Sequence, residues 1–144
     1  MKKLILLLLT FLITLSIAQA TPLISAKEAA LPPISGPLST RGISRGPTIK
    51  LNSPIADSSV ASPFDFKVGF EARGDAKIDP NSVKVIYMKS PFVDLTPRLK
   101  SAISANGIDF SKAEVPPGTH TIRVTVKDTE GRETNSVLTL TVIK

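Results

Sequence analysis

The last thirty residues, "VPPGTHTIRVTVKDTEGRETNSVLTLTVIK" (Val115–Lys144), decide the fold class of this chain. Apolar and polar residues alternate on both sides of the turn "KDTEG" (127–131). Alternation with a period of two is typical of a β-strand that buries one face. In such a turn an Asp accepts backbone N–H bonds and a Gly permits a positive φ. The stretch therefore predicts a β-hairpin that closes a sheet, with Asp128 and Gly131 shaping its turn.

The rest of 47–144 is divided by turn signals into short runs that have the length of strands. In the run at 64–72, five aromatic or aliphatic residues alternate with Asp65, Lys67, Gly69 and Glu71, so one face is expected to be buried. Seven strands and no helix predict an all-β sandwich, in one domain that covers residues 47–144. The predicted strands are Thr48–Leu51, Phe64–Ala72, Val83–Met88, Asp94–Leu99, Gly107–Phe110, His120–Lys127 and Thr134–Ile143.

The first twenty residues, "MKKLILLLLTFLITLSIAQA", have the pattern of a cleaved secretory signal. Lys2 and Lys3 precede an apolar run, and the stretch ends in Ala18-Gln19-Ala20. The apolar run of about 15 residues is shorter than the roughly 20 that a membrane-spanning helix needs. We therefore predict a signal peptide at 1–20, no membrane span after its cleavage, and a periplasmic or secreted protein. The chain has no cysteine, so the domain is stabilised without disulfides.

Residues 21–46, "TPLISAKEAALPPISGPLSTRGISRG", are rich in Pro, Gly and Ser and show no sustained period. Such a composition predicts a flexible linker between the signal peptide and the domain. It would serve either as a tether towards a partner or as a tail without one.

The charge of the chain is mildly basic. The formal net charge is +6, and loss of Lys2 and Lys3 with the signal peptide leaves +4. The basic residues are spread along the chain, whereas nucleic-acid-binding proteins concentrate them on one face. We predict no nucleic-acid partner. The small excess of positive charge either only keeps the protein soluble or also gives weak binding to anionic surfaces.

Two motifs resemble those of bacterial immunoglobulin-like (Big-type) domains. These are "IDPNSVKVIY" (78–87) and "VPPGTHTIRVTVKDTEGR" (115–132), followed by a last strand rich in Thr, Val and Leu. The resemblance extends over 47–144 and implies an immunoglobulin-like β-sandwich of about seven antiparallel strands. It also implies a role in adhesion, spacing or docking, with the detail differing between members of the family.

Candidate catalytic and metal-binding groups are sparse. His120 is the only histidine; it shares parity with Ile122 and Val124, which predicts a packed ring at the end of the sandwich. A zinc site needs several His or Cys ligands, and a calcium loop needs a spaced series of oxygen ligands. We predict that the protein is not an enzyme and has no cofactor and no metal. The alternative is a small hydrolase or accessory enzyme for envelope polymers, with an unrecognised carboxylate site.

The segment "MKSPFVDLTPRLK" (88–100) is the candidate surface for a partner. Phe92 offers an apolar anchor, while Asp94 and Arg98 offer polar specificity. The alternative is that Phe92, Val93 and Leu95 only cover the open end of the sandwich. A second route to a partner is strand addition at a sheet edge. The expected function is a non-catalytic exported module for protein–protein interaction or structural spacing in the bacterial envelope, and its expected partner is an envelope or secreted protein.

Overall fold

The structure of the protein, a computed structural model, describes residues 21–38 and 44–144. The signal peptide predicted at 1–20 lies outside the described residues. In chain order the elements are β1 (Thr21–Pro22), α1 (Ala26–Ala29), β2 (Thr48–Ser53), β3 (Ser59–Ala61), β4 (Phe64–Glu71), β5 (Ile78–Tyr87), β6 (Val93–Asp94), α2 (Thr96–Leu99), a 3₁₀ turn (Lys100–Ala102), β7 (Ile103–Ser104), β8 (Gly107–Glu114), β9 (Gly118–Asp128) and β10 (Glu133–Ile143).

The strands form two sheets that face each other. One has the order β1-β8-β4-β2, with β7 also paired to β8, and the other has the order β3-β10-β9-β5-β6. This matches an immunoglobulin-type sandwich: β2, β4 and β8 take the places of its first, second and fifth strands, and β5, β9 and β10 those of its third, sixth and seventh. The predicted all-β immunoglobulin-like fold is confirmed. Two pairings, β1 with β8 and β3 with β10, are parallel.

The closing hairpin has the predicted geometry. Strands β9 and β10 pair from Lys127↔Glu133 to Gly118↔Val142. In the turn the Asp128 carboxylate accepts the backbone N–H groups of Glu130 and Arg132, both at 3.0 Å. Gly131 has a φ of 77°, in the left-handed region that favours glycine. The turn residues therefore act as the sequence indicated.

The core lies between the sheets and is built from the inward-facing residues of the long strands. Strand β4 buries its alternating apolar side chains while Asp65 and Lys67 point outward. Each fully buried large apolar side chain contributes roughly 1.5–3 kcal/mol of transfer free energy, which explains how a disulfide-free sandwich holds together. The side chains that are completely or almost completely buried include Phe66, Val68, Val85, Tyr87, Ile108, Ile122 and Leu140.

Six of the seven predicted strands are present, but the strand predicted at Asp94–Leu99 is wrong. Most of that stretch is helix α2, with Pro97 in its first turn. Proline lacks an N–H and has a fixed φ, so it fits the first turn of a helix and interrupts a strand ladder. Leu95 and Leu99 are both fully buried, and a spacing of four puts them on one side of a helix. The four strands that were not predicted, β1, β3, β6 and β7, have two or three residues each.

The flexible linker expected at 21–46 is also corrected by the structure, because its first half packs against the domain. We call Thr21–Pro33 the strap. Leu23 and Ile24 belong to the core, and their N–H groups donate to the Glu114 carbonyl at 3.0 and 3.3 Å. Further along, the Pro32 carbonyl accepts the N–H of Ser90 at 2.9 Å. The strap thus runs from the edge of β8 to the end of β5 and closes that side of the sandwich.

Candidate partner-binding surface

The three predicted site residues, Phe92, Asp94 and Arg98, are all exposed, and Phe92 is the apolar one among them. Its side chain is 57% exposed, and the Arg123 guanidinium lies 5.7 Å from the centre of its ring. Leu95, by contrast, is fully buried, so the segment both covers the sandwich and presents an aromatic ring. An aromatic ring under an Arg is a common anchor of protein interfaces, because it combines apolar area with a cation–π contact.

Asp94 lies two residues after Phe92, and its side chain forms a local hydrogen bond. Its carboxylate accepts the backbone N–H of Thr96 at 2.9 Å, which fixes the start of α2. The Thr96 hydroxyl in turn accepts the N–H of Val85 at 2.9 Å, so this corner is anchored to β5. Asp94 also lines a cavity of about 480 Å³ that includes Lys100.

The Arg98 side chain binds the strap. Its guanidinium donates to the Leu23 carbonyl at 2.8 Å and to the Glu28 carboxylate at 2.9 Å. This bond to Arg98 is the main reason why the pKa of Glu28 falls to about 2. Ser25 and Glu28 also form a capping box that starts α1. The structure therefore does not join Arg98 to Phe92 and Asp94 in one surface.

Arg123 is a neighbour of Phe92 that was not selected from the sequence. It lies on the outer face of the β3-β10-β9-β5-β6 sheet. Register places Arg123 between Ile86 and Val137, and the next outward row is Lys84, Thr125 and Asn135. A row further along, Lys127 lies opposite Glu133. We call this surface the Arg123 face, and it has three carboxylates for three cations. Its members are Asp79, Ser82, Lys84, Ile86, Asp94, Arg123, Thr125, Lys127, Glu133, Asn135 and Val137.

A shallow groove of about 450 Å³ runs along the Arg123 face. Lys127 pairs with Glu133 at 3.4 Å, and the Thr125 hydroxyl donates to the Asn135 side chain. Among the described residues, Lys84 and Arg123 have no carboxylate within ion-pair distance. The groove therefore presents two cations, with Phe92 at one end.

His120 is packed, as predicted, and belongs to the interior. It is 3% exposed; its Nε2 lies 2.7 Å from the Pro116 carbonyl and its Nδ1 2.9 Å from the Tyr87 hydroxyl. A carbonyl only accepts, so Nε2 carries the proton and neutral Nδ1 accepts from Tyr87. Burial, together with the charge of Lys89, lowers the pKa of His120 below its ordinary value.

Asp128 is the other buried polar side chain of the described residues, and it belongs to the hairpin turn. Burial alone would raise its pKa, but the Arg132 guanidinium, 2.7 Å away, and two backbone N–H groups hold the pKa below its usual value. In the part of the chain that the structure describes, no three His, Cys, Asp or Glu side chains come together as a metal site. Across residues 21–38 and 44–144, no helix combines the length and the apolar character that crossing a membrane requires.

Comparison with known proteins gives a likeness of fold only. No protein-family model matches the chain, and no curated protein matches it. Among solved structures, it is similar to the fibronectin(III)-like modules of Clostridium thermocellum CbhA. The identity is 15% and the TM-score 0.40, over 66% of this chain and 94% of that one.

Proposed function

We propose that this protein is a non-catalytic, exported immunoglobulin-like module of the bacterial envelope that binds another protein through the surface around Phe92. Membership of the bacterial immunoglobulin-like (Big-type) family and a periplasmic or secreted location are parts of the same proposal. They are supported by the two motifs at 78–87 and 115–132 and by the leader pattern at 1–20.

The observation that carries the proposal is the contrast between Phe92 and the other phenylalanines of the described residues. Phe64, Phe66, Phe70 and Phe110 are all buried in the core, whereas more than half of Phe92 is open to solvent. Complete burial of a large apolar side chain is worth roughly 1.5–3 kcal/mol, so a partner that covers the exposed 57% of Phe92 would gain about half of that. Arg123 beside the ring adds a polar contact to the same surface.

Retention of a native partner tests the proposal. Residues 21–144 are immobilised, an envelope extract of the native cell is passed over them, and the column is washed at low and at high salt. We expect one protein to stay bound at high salt and to be lost with Phe92→Ala and with Arg123→Ala.

The matched control is Ile55→Ala, because Ile55 is 75% exposed and lies outside the Arg123 face. That variant is expected to retain the partner. Retention of nothing at high salt, or equal loss with the control variant, would contradict a docking role and leave structural spacing as the function.

A further inference from the structure

We infer that the end of the strap, Ala29–Pro33, is an acid-sensitive latch, which leaves the domain when His120 takes up a proton while the start of the strap at Leu23 stays in place. The inference does not depend on the proposed function. It rests on a chain of contacts that joins a buried histidine to the strap through two neighbouring side chains.

The end of the strap is held by polar contacts with Lys89 and Ser90, just after β5. The Lys89 ammonium donates to the Ala29 carbonyl at 3.0 Å, and the Ser90 N–H donates to the Pro32 carbonyl at 2.9 Å. The residues of this stretch are half-buried or exposed, so its position depends largely on these two hydrogen bonds. Ser90 lies two residues before Phe92, and the latch therefore also fixes the start of the segment that carries that ring.

The start of the strap is held in a different way. Leu23 and Ile24 lie in the core, and their N–H groups donate to the Glu114 carbonyl. The Arg98 guanidinium donates to the Leu23 carbonyl and to the Glu28 carboxylate, and the latter bond is the main reason why the pKa of Glu28 is about 2. Glu28 therefore stays charged at mildly acidic pH, and the start of the strap stays docked.

His120 reaches Lys89 through one aromatic ring. The Tyr87 hydroxyl lies 2.9 Å from His120 Nδ1, and the Lys89 ammonium lies over the Tyr87 ring, 5.5 Å from its centre. His120 is 3% exposed and Tyr87 is 1% exposed. A positive charge on His120 would therefore be poorly screened by solvent and would act on Lys89.

A proton on His120 disturbs this arrangement in two ways. Neutral Nδ1 accepts from the Tyr87 hydroxyl, because Nε2 donates to the Pro116 carbonyl at 2.7 Å. In the protonated ring Nδ1 becomes a donor, so the Tyr87 hydroxyl loses its one acceptor among the described residues. The proton also places a second positive charge close to Lys89. Movement of Lys89 into water relieves the repulsion and breaks its bond to Ala29.

The direction of the effect follows from the pKa of His120. Burial, and in addition the charge of Lys89, lower that pKa below 6.5 while the latch is closed, although the Pro116 carbonyl acts in the opposite sense. Removal of the Lys89 charge from the Tyr87 ring lets the pKa rise towards its ordinary value. The state with the higher pKa takes up the proton first, so the open latch is favoured as the pH falls below about 6.5.

The other groups that face His120 and Tyr87 do not titrate in this range. Burial, and after it the charge of Glu28, raise the pKa of Tyr87, so its hydroxyl stays protonated. Glu28 itself is ionised in its pair with Arg98. On β10 the residue opposite His120 is Leu140, which carries no charge. Within the part of the chain that the structure describes, His120 is therefore the titrating group of this corner.

NMR of residues 21–144 between pH 7.5 and about 5 tests the inference. His120 is the only histidine of the chain, so its ring signals give one titration curve. We expect the amide signals of Ala29–Leu31 and of Ser90 to shift with the same midpoint. The hydrogen-exchange protection of the Ser90 amide should fall by up to about tenfold per pH unit below 6.5, which is the limit for uptake of one proton, while that of Leu23 changes little.

Variants separate the latch from a general loss of stability in acid. Lys89→Met should leave the Ser90 amide poorly protected already at pH 7.5. The matched control is Lys27→Met, which removes the same charge from an exposed position of α1 and should behave like the unmodified protein. His120→Gln should keep the protection of Ser90 constant over the range. The inference is overturned if Ser90 loses protection equally in His120→Gln, if its midpoint differs from that of His120, if Lys89→Met leaves it protected, or if Ser90 and Leu23 lose protection together.

Discussion

Replacing Leu23 by alanine tests whether the strap is part of the folded domain. Leu23 is fully buried, although it lies in a stretch whose composition is that of a linker. A buried Leu→Ala substitution costs about 2–5 kcal/mol, because burial is lost and a cavity remains. The strap lies at the edge of the fold and can relax, so we expect about 3 kcal/mol. For a domain of this size this corresponds to a fall in Tm of about 10 °C.

The assay is urea unfolding of residues 21–144, followed by circular dichroism. With a slope of about 1.5 kcal/mol per M, the midpoint should fall by about 2 M while the slope stays constant. The control is Ile55→Ala, which removes an exposed side chain and should change stability by less than about 0.5 kcal/mol. If Leu23→Ala and Ile55→Ala have the same midpoint, the strap does not contribute to the fold and the packing described for it is refuted.

The remaining predictions concern titratable groups. The pKa of His120 is lowered in the folded protein, so as the pH falls towards 6.5 the unfolded chain takes up a proton before the folded one does. The free energy of unfolding should therefore decrease as the pH is lowered from 7.5 to about 5.5. A His120→Gln variant, which lacks the only histidine of the chain, should not show this pH dependence. The pKa of Glu28 is about 2 instead of 4.5, so its ion pair with Arg98 stabilises the fold fully above about pH 4.5 and is lost towards pH 2. In the Glu28→Gln variant the urea midpoint should change less with pH between 4.5 and 2 than it does in the unmodified protein. Asp128→Asn should lower the urea midpoint, whereas Asp75→Asn, at an exposed turn position, should not; equal midpoints would contradict the role assigned to the Asp128 carboxylate.

Local patterns were enough to predict the long strands and the closing hairpin. Alternation at 64–71 and 118–128 reflects burial of one face, and that pattern is written in the order of the residues. The roles of Asp128 and Gly131 are equally local, because a turn depends on its own few residues.

The strap and α2 were not predictable in the same way. No period marks Thr21–Pro33, and its order comes from contacts with distant residues such as Arg98 and Glu114. The local signal available was Ser25-x-x-Glu28, the pattern of a capping box. At 94–99, the four-residue spacing of Leu95 and Leu99 fits both a strand and a helix. Pro97 favours the helix, because proline fits the first turn of a helix and interrupts a strand ladder.

The candidate surface was found in part. Phe92 was selected from the sequence, but Arg123 lies 31 positions along the chain and reaches it through the pairing of β5 with β9. That pairing contains a shift in register between Asp79 and Lys84, which alternation alone does not reveal. Arg98 was selected because it is close to Phe92 in sequence, yet it points to the strap.

Photo-crosslinking in the native cell tests the central claim, that a partner docks around Phe92, most directly. A photoreactive phenylalanine analogue is placed at position 92, or at position 55 as the control, and adducts are analysed after irradiation. We predict one discrete adduct from position 92 that disappears with Arg123→Ala and is absent from position 55. No adduct from position 92, or the same adducts from both positions, would contradict the claim.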